Sequence, residues 1–328
     1  MGNAVGAPRE VLYFGKLPSR GDFVRSSQHA NLISTLDVWL SQTLDRLSAD
    51  PRWKLVYDAA PEAHFAILGT GSKVALAGHC LASQDSSGRR FPFVTAAAID
   101  VPQPRGFAPV APVALARVWA RLAQLAHMAH AAVDLAHVQP SLQAELDVPV
   151  APGPAASALA DFLETHTVAS FEQMLAFGGG RLVLRQAVLA LGMLLQPAMT
   201  RGSARLSKAL CLPLPREAVL RGVAGAFWLT LVLGFFARHD TELALFVLPA
   251  PGHARLVVGF QGASAATLHA VLDPAVLASQ SVTLDDSAWV EDEVANDYGL
   301  RKLSNYMRDP GLPLAQVVQT FQEVFLGQ

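Results

Sequence analysis

"VLYFGKLPSRGDFVR", residues 11–25, is the stretch from which the fold is read. An apolar strand-like run stops at Gly15, and Lys16, Arg20, Asp22 and Arg25 then crowd around Pro18 and Gly21. Pro18 fixes its own φ and removes a donor, and Gly21 offers backbone freedom that other residues lack. Asp22 is able to accept backbone N–H groups or to pair with Arg20 or Arg25. A strand that ends in such a charged corner belongs at the rim of a sheet. A second corner with the same ingredients follows in "SQDSSGRRFPF", residues 83–93, where Asp85, Gly88, Arg89 and Arg90 lead into a strand through Phe91 and Pro92.

Outward from the first corner the pattern changes period. In "SSQHANLISTLDVWLSQTLDRLSAD", residues 26–50, Leu32, Leu36, Trp39, Leu40, Leu44 and Leu47 recur at helical intervals, with Ser26 or Ser27 as the expected cap. "AHFAILG" and "RRFPFVTAAAID" read as strands, with the less regular "KVALAGHCLAS" between them. A helix is expected over 113–138. The Pro-Gly-rich "DVPVAPGPAASA", residues 147–158, separates two periodic regions. Helices are expected beyond it at 155–176 and 181–199, split by three glycines at 178–180, and again at 216–237. "ELALFVLP" and "ARLVVGF" read as adjacent strands joined by "APGH", and "SAATLHAVLD" and "PLAQVVQTFQEVF" as closing helices. Interleaved strands and helices predict an α/β fold, a mixed sheet flanked by helices, with a largely helical C-terminal half that contains a strand pair. The expected domains are 1–148 and an extension, 155–328, packed on it.

Bulk composition narrows the function. The chain has 328 residues, 25 Lys plus Arg against 27 Asp plus Glu, and a net charge of −2, so it lacks the basic field of a nucleic-acid binder. Charged residues are 16% and apolar ones 52%, which points to a well-buried core and a surface with room for a partner. Two distant cysteines, Cys80 and Cys211, read as reduced thiols rather than a disulfide or zinc framework. The opening "MGNAVGAPRE" predicts no secretory leader and fits a myristoylation pattern poorly. "GVAGAFWLTLVLGFFA", residues 222–237, is uncharged but only 16 residues long. Spanning a bilayer takes roughly 20, so a buried core helix is the reading.

Other constellations reduce to ordinary structure. "LGTGSKVALAG", residues 68–78, has Ser before Lys and no glycine five before Gly71, so it is a turn and not a phosphate loop. His127, His130, Asp134 and His137 would share about 80° of a helix, yet the outer two would stand about 15 Å apart. That reads as a polar face, and no metal site is assigned. The carboxylates of 285–297 lack the ligand alternation of a calcium loop and read as an acidic loop and helix start, or as a patch for a basic partner. No nucleophile elbow or cysteine motif is present, and no catalytic residue and no cofactor are assigned.

"FGKLPSRGDFVR" at 14–25, "LDVWLSQTL" at 36–44 and "SQDSSGRRFPF" at 83–93 together resemble the TagF family, also called ImpM, of type VI secretion accessory proteins. The resemblance covers roughly residues 10–100, and Arg90 stands where the family commonly has an aromatic. It implies an α/β layered sandwich and a cytoplasmic, non-enzymatic regulator that represses secretion post-translationally by binding the system's forkhead-associated scaffold protein. Such a protein is peripheral to a membrane machine without being embedded in it. Lys16, Arg20, Asp22, Arg25, Asp85, Arg89 and Arg90 are then the candidate partner-binding residues. Gly15, Pro18, Gly21, Phe23, Trp39, Gly88, Phe91 and Pro92 form the structural motif. The alternative is a phosphate- or nucleotide-binding enzyme or sensor that uses the arginines of the two corners.

Overall fold

Among the described residues, nine strands hydrogen-bond into one mixed sheet; the computed structural model describes residues 9–176, 182–203, 206–249 and 254–327. The strands are β1 (Leu12–Gly15), β2 (Val24–Arg25), β3 (Ala63–Gly69), β4 (Val74–Leu81), β5 (Phe93–Asp100), β6 (Ala209–Pro213), β7 (Glu242–Leu248), β8 (Arg255–Gly259) and β9 (Ser281–Thr283). Their order across the sheet is β2-β1-β5-β4-β3-β7-β8-β6-β9. The pairings are antiparallel except that of β6 with β9, which is parallel. The Met-Gly opening, the glycines at 178–180 and the link at 250–253 lie outside the described residues.

Helices cover both faces, and the strands show it by alternation. Along β7, Leu243, Leu245 and Val247 enter one apolar cluster while Ala244, Phe246 and Leu248 enter another. A strand buried on both sides reads as a continuous apolar run because successive side chains point opposite ways. The first cluster includes residues of helices Ala116–Ala131 and Ala218–Gly234, and the second includes residues of helices Ala30–Leu47 and Ala265–Leu272. The uncharged segment is thereby a core helix: Phe227, Trp228 and Leu229 are fully buried, and Trp228 Nε1 donates to the Pro213 carbonyl at 2.9 Å. No helix among the described residues is long and apolar enough to cross a membrane.

The sheet continues through both halves of the chain. β3 pairs with β7 from His64↔Val247 to Gly69↔Glu242, so strands from either side of the 147–158 seam are neighbours. The seam itself leads into helix Pro152–Thr165, whose first turn takes prolines because its N–H groups need no helical acceptor.

Several boundaries differ from expectation. Helix Ala30–Leu47 starts after His29, which is left-handed at φ 58°, and neither serine caps it; the Ser26 N–H donates to the Tyr13 carbonyl instead. The 155–176 stretch is two helices, Pro152–Thr165 and Val168–Leu175, divided where Thr167 and Ser170 form a capping box. The 113–138 stretch also breaks. Its main helix, Ala116–Ala131, ends where Ala132 is extended, and Asp134 caps a separate turn, Leu135–His137, through Ala136 N–H. His127, His130, Asp134 and His137 therefore do not share one helical face.

Candidate functional site

Two loops at the β1 and β5 end of the sheet are tied into one corner. β1 ends at Gly15, whose φ is 137° and whose absent Cβ would lie 2.0 Å from the Pro92 carbonyl oxygen. Only glycine lets the backbones approach so closely. The required glycine is thus Gly15, with Gly88 at φ 77° in the second loop. Gly21 has an ordinary φ, and a Cβ there would meet only Ser86 Oγ at 3.6 Å.

Asp85 organises the second loop from inside. Its Oδ1 accepts the N–H groups of Ser87 and Arg89, each at 3.0 Å, and its Oδ2 takes Arg89 Nε at 2.7 Å. The loop closes with Gly88 N–H on the Asp85 carbonyl and Phe91 N–H on the Ser83 carbonyl. Lys16 enters from the first corner, its Nζ 3.0 Å from Asp85 Oδ2. Both residues are buried, Lys16 to 7% exposure and Asp85 to 2%. Burial alone would raise the Asp85 pKa. The hydrogen bonds from Arg89, Lys16 and Ser87 outweigh it and hold the carboxyl well below its ordinary range.

Further links cross between the corners. Arg89 Nη2 donates to the Gly21 carbonyl at 2.6 Å, Ser86 N–H to the Arg20 carbonyl at 2.9 Å, and Ser83 Oγ to the Lys16 carbonyl at 2.6 Å. Tyr57, on helix Trp53–Asp58, brackets Ser83: its hydroxyl donates to the Ser83 carbonyl and accepts the Ser83 N–H, both at 2.9 Å. Burial pushes that phenol far above its ordinary pKa. Below the polar links lies an aromatic trio. Phe23 stacks on Phe14 at 5.5 Å and meets Phe91 edge-on at 4.8 Å, and Lys16 Nζ sits 5.0 Å from the Phe23 ring centre. Trp39 packs in the same cluster, against Phe65.

The candidate residues consequently divide by exposure. Lys16 and Asp85 lie inside the corner. Arg20, Asp22, Arg25 and Arg89 are exposed and Arg90 is half-buried. Arg20 pairs with Asp134 at 3.0 Å, and Arg90 grips Asp58 with two bonds, at 2.7 and 2.6 Å. Arg25 has no ion-pair partner among the described residues. Phe23 keeps 42% of its surface exposed beside it, Pro18 is exposed, and Phe91 is buried. Tyr57, Asp58 and Asp134 belong to the corner without any local motif to mark them, and Ser83, the first residue of the second motif, is given no role by it. Their signal is three-dimensional, because each waits on a partner at least 26 residues away.

Elsewhere, several charged groups pair within the fold. Asp285 pairs with Arg255, Glu291 with Arg185, and Asp297 caps helix Tyr298–Tyr306 by accepting the Leu300 N–H. "GTGSK" is the connection of the β3–β4 hairpin. Cys80 and Cys211 are free and buried, which pushes their thiols up to about 12 and about 11.

Residues 13–147 match the family described as TagF N-terminal domain, Type VI secretion system-associated. No curated protein matches the chain. A similar solved structure is the crystal structure of PA0076 from Pseudomonas aeruginosa PAO1, at 24% identity and a TM-score of 0.34. That similarity covers 40% of this chain and 61% of the other, so the chain spans about three fifths of the solved relative's length. Residues 13–147, which hold both corners, are thus similar to the N-terminal domain of the TagF family of type VI secretion system-associated proteins.

Proposed function

We propose that the protein is a non-enzymatic, cytoplasmic repressor of a type VI secretion system that acts after translation, by docking on the system's forkhead-associated scaffold protein. The family match over residues 13–147 carries this reading. The corner supports a docking role by its construction. Gly15, Lys16, Asp85 and Arg89 fix the two loops relative to each other, and Phe23, Arg20, Asp22 and Arg25 stand on the outside of that fixed frame. A rim held rigid before contact loses little freedom on binding, which favours recognition by shape and charge.

The same geometry weighs against a phosphate or nucleotide pocket. Arg20, Arg89 and Arg90 are each committed to a carboxylate of this chain, and Lys16 is buried against Asp85. A convergent anion site would need such groups free and aimed at one point.

Co-purification of the tagged protein from cells that carry the secretion system tests the proposal. The scaffold should be recovered with it, and overproduction should lower effector secretion without lowering effector synthesis. Recovery without the scaffold, or unchanged secretion, contradicts the reading.

A further inference from the structure

A second polar cluster lies under helix Ala116–Ala131, on the sheet face opposite helix Ala30–Leu47. Side-chain parity brings it together. His64 on β3 shares its face with Ala66 and Leu68, and His79 on β4 shares its face with Ala75 and Ala77. His64 and His79 are directly paired in register, so both rings stand side by side toward the helix above. Glu62 comes just before β3, and His127 reaches down from the helix.

The donor atoms converge. Glu62 Oε2 lies 2.6 Å from His127 Nε2 and 3.3 Å from His79 Nε2, and one donor atom from each residue falls within 4.8 Å of the others. A tetrahedral zinc-class ion holds nitrogen and oxygen ligands at about 2.0–2.1 Å, which places the donors about 3.3 Å from one another. The Glu62–His79 separation of 3.3 Å matches that spacing, and the Glu62–His127 contact, a hydrogen bond at 2.6 Å, is shorter than it. His79 is 1% exposed, and its Nε2 makes no hydrogen bond of acceptable geometry even with Glu62 nearby. A buried ring nitrogen with no hydrogen-bond partner, facing a carboxylate and a second imidazole, is what a ligand set looks like before its ion.

The surroundings suit the same chemistry. His79 Nδ1 and His64 Nδ1 are 3.1 Å apart, so one ring donates to the other. If His79 donates from Nδ1, its Nε2 carries a lone pair toward Glu62 and His127, and His64 acts as the outer partner that orients a ligating imidazole. Trp119 stacks on His64 at 5.9 Å and fixes its plane, and Trp119 Nε1 in turn donates to the Phe65 carbonyl. Glu62 and His127 are partly exposed, leaving a route for an ion and for water at a further position.

We propose that Glu62, His79 and His127 bind a divalent transition-metal ion of the zinc class, with His64 orienting His79. Two imidazoles and one carboxylate favour zinc, cobalt or nickel over magnesium or calcium, which prefer sets made of oxygens.

The test is titration of the chelator-stripped full-length protein with Zn²⁺, followed by calorimetry, and with Co²⁺, followed by visible absorption. One equivalent should bind, with a tetrahedral cobalt spectrum. His127→Ala and Glu62→Gln, both at partly exposed positions and checked by circular dichroism, should each weaken Zn²⁺ binding at least about tenfold. His137→Ala, outside the cluster, should leave it unchanged. Absence of binding by the wild type, or equal binding by His127→Ala, overturns the proposal.

Discussion

Lys16 Nζ lies 3.0 Å from Asp85 Oδ2 with both side chains withdrawn from solvent, and this contact joins two loops distant in sequence, as does the Ser83–Lys16 hydrogen bond across 67 residues. Removing one charge of such a pair strands the other in a dry site, which costs more than removing both. Asp85→Asn and Lys16→Met should each lower the melting temperature by about 10 °C. The double variant should lose less than the sum of the two. Additive losses would show that the two side chains do not act on each other.

Acid should act through the same carboxylate. The folded-state pKa of Asp85 is depressed, so its contribution is full above the unfolded carboxylate value of about 3.9 and fades as pH falls below it. The gap in melting temperature between wild type and Asp85→Asn should therefore be constant from roughly pH 5 to 7 and narrow below about pH 4. A gap of constant size down to roughly pH 2.5 contradicts this assignment.

Glycine chemistry separates the two halves of the first corner. Gly15→Ala places a Cβ 2.0 Å from the Pro92 carbonyl at φ 137°, and should cost at least about 3 kcal/mol or prevent folding. Gly21→Ala meets only Ser86 Oγ at 3.6 Å and should stay within about 1 kcal/mol of wild type. Urea denaturation of the two variants distinguishes them, and equal losses would contradict the backbone account.

These two glycines also show what the sequence could reveal. The Gly-Lys-Leu-Pro-Ser-Arg-Gly-Asp string marks a sharp corner, but local propensity favoured Gly21, because the tight contact of Gly15 is with a backbone 77 residues later. Strands β3 and β7 were legible from continuous apolar runs. β2 and β9 were not, being two and three residues long and held by neighbours rather than by their own pattern. The 113–138 helix was overextended because alanine-rich periodicity persists past the point where Asp134 turns to cap the next turn. His64 and His79 were equally hidden, since their meeting depends on hairpin register.

The shared sheet predicts how the chain behaves when cut. A fragment ending at residue 148 would expose β3, "AHFAILG", along the edge that β7 covers in the whole protein. An apolar edge of that kind pairs with other chains. The fragment should aggregate or melt without a cooperative transition in calorimetry, whereas a sharp, concentration-independent melt would show that the first 148 residues stand alone.

In the proposed docking role, the outside of the braced corner meets the scaffold while the inside holds that corner in shape. Arg25 and Phe23 carry the outside, the one free of intramolecular ion pairs among the described residues and the other 42% exposed. The direct measurement is surface-based affinity of the purified full-length protein for the forkhead-associated scaffold, comparing wild type with Arg25→Glu/Phe23→Ser. A folded double variant that binds at least about tenfold more weakly, a loss of about 1.4 kcal/mol, is the predicted result. A folded variant with wild-type affinity, or a wild type that does not bind the scaffold, would contradict it.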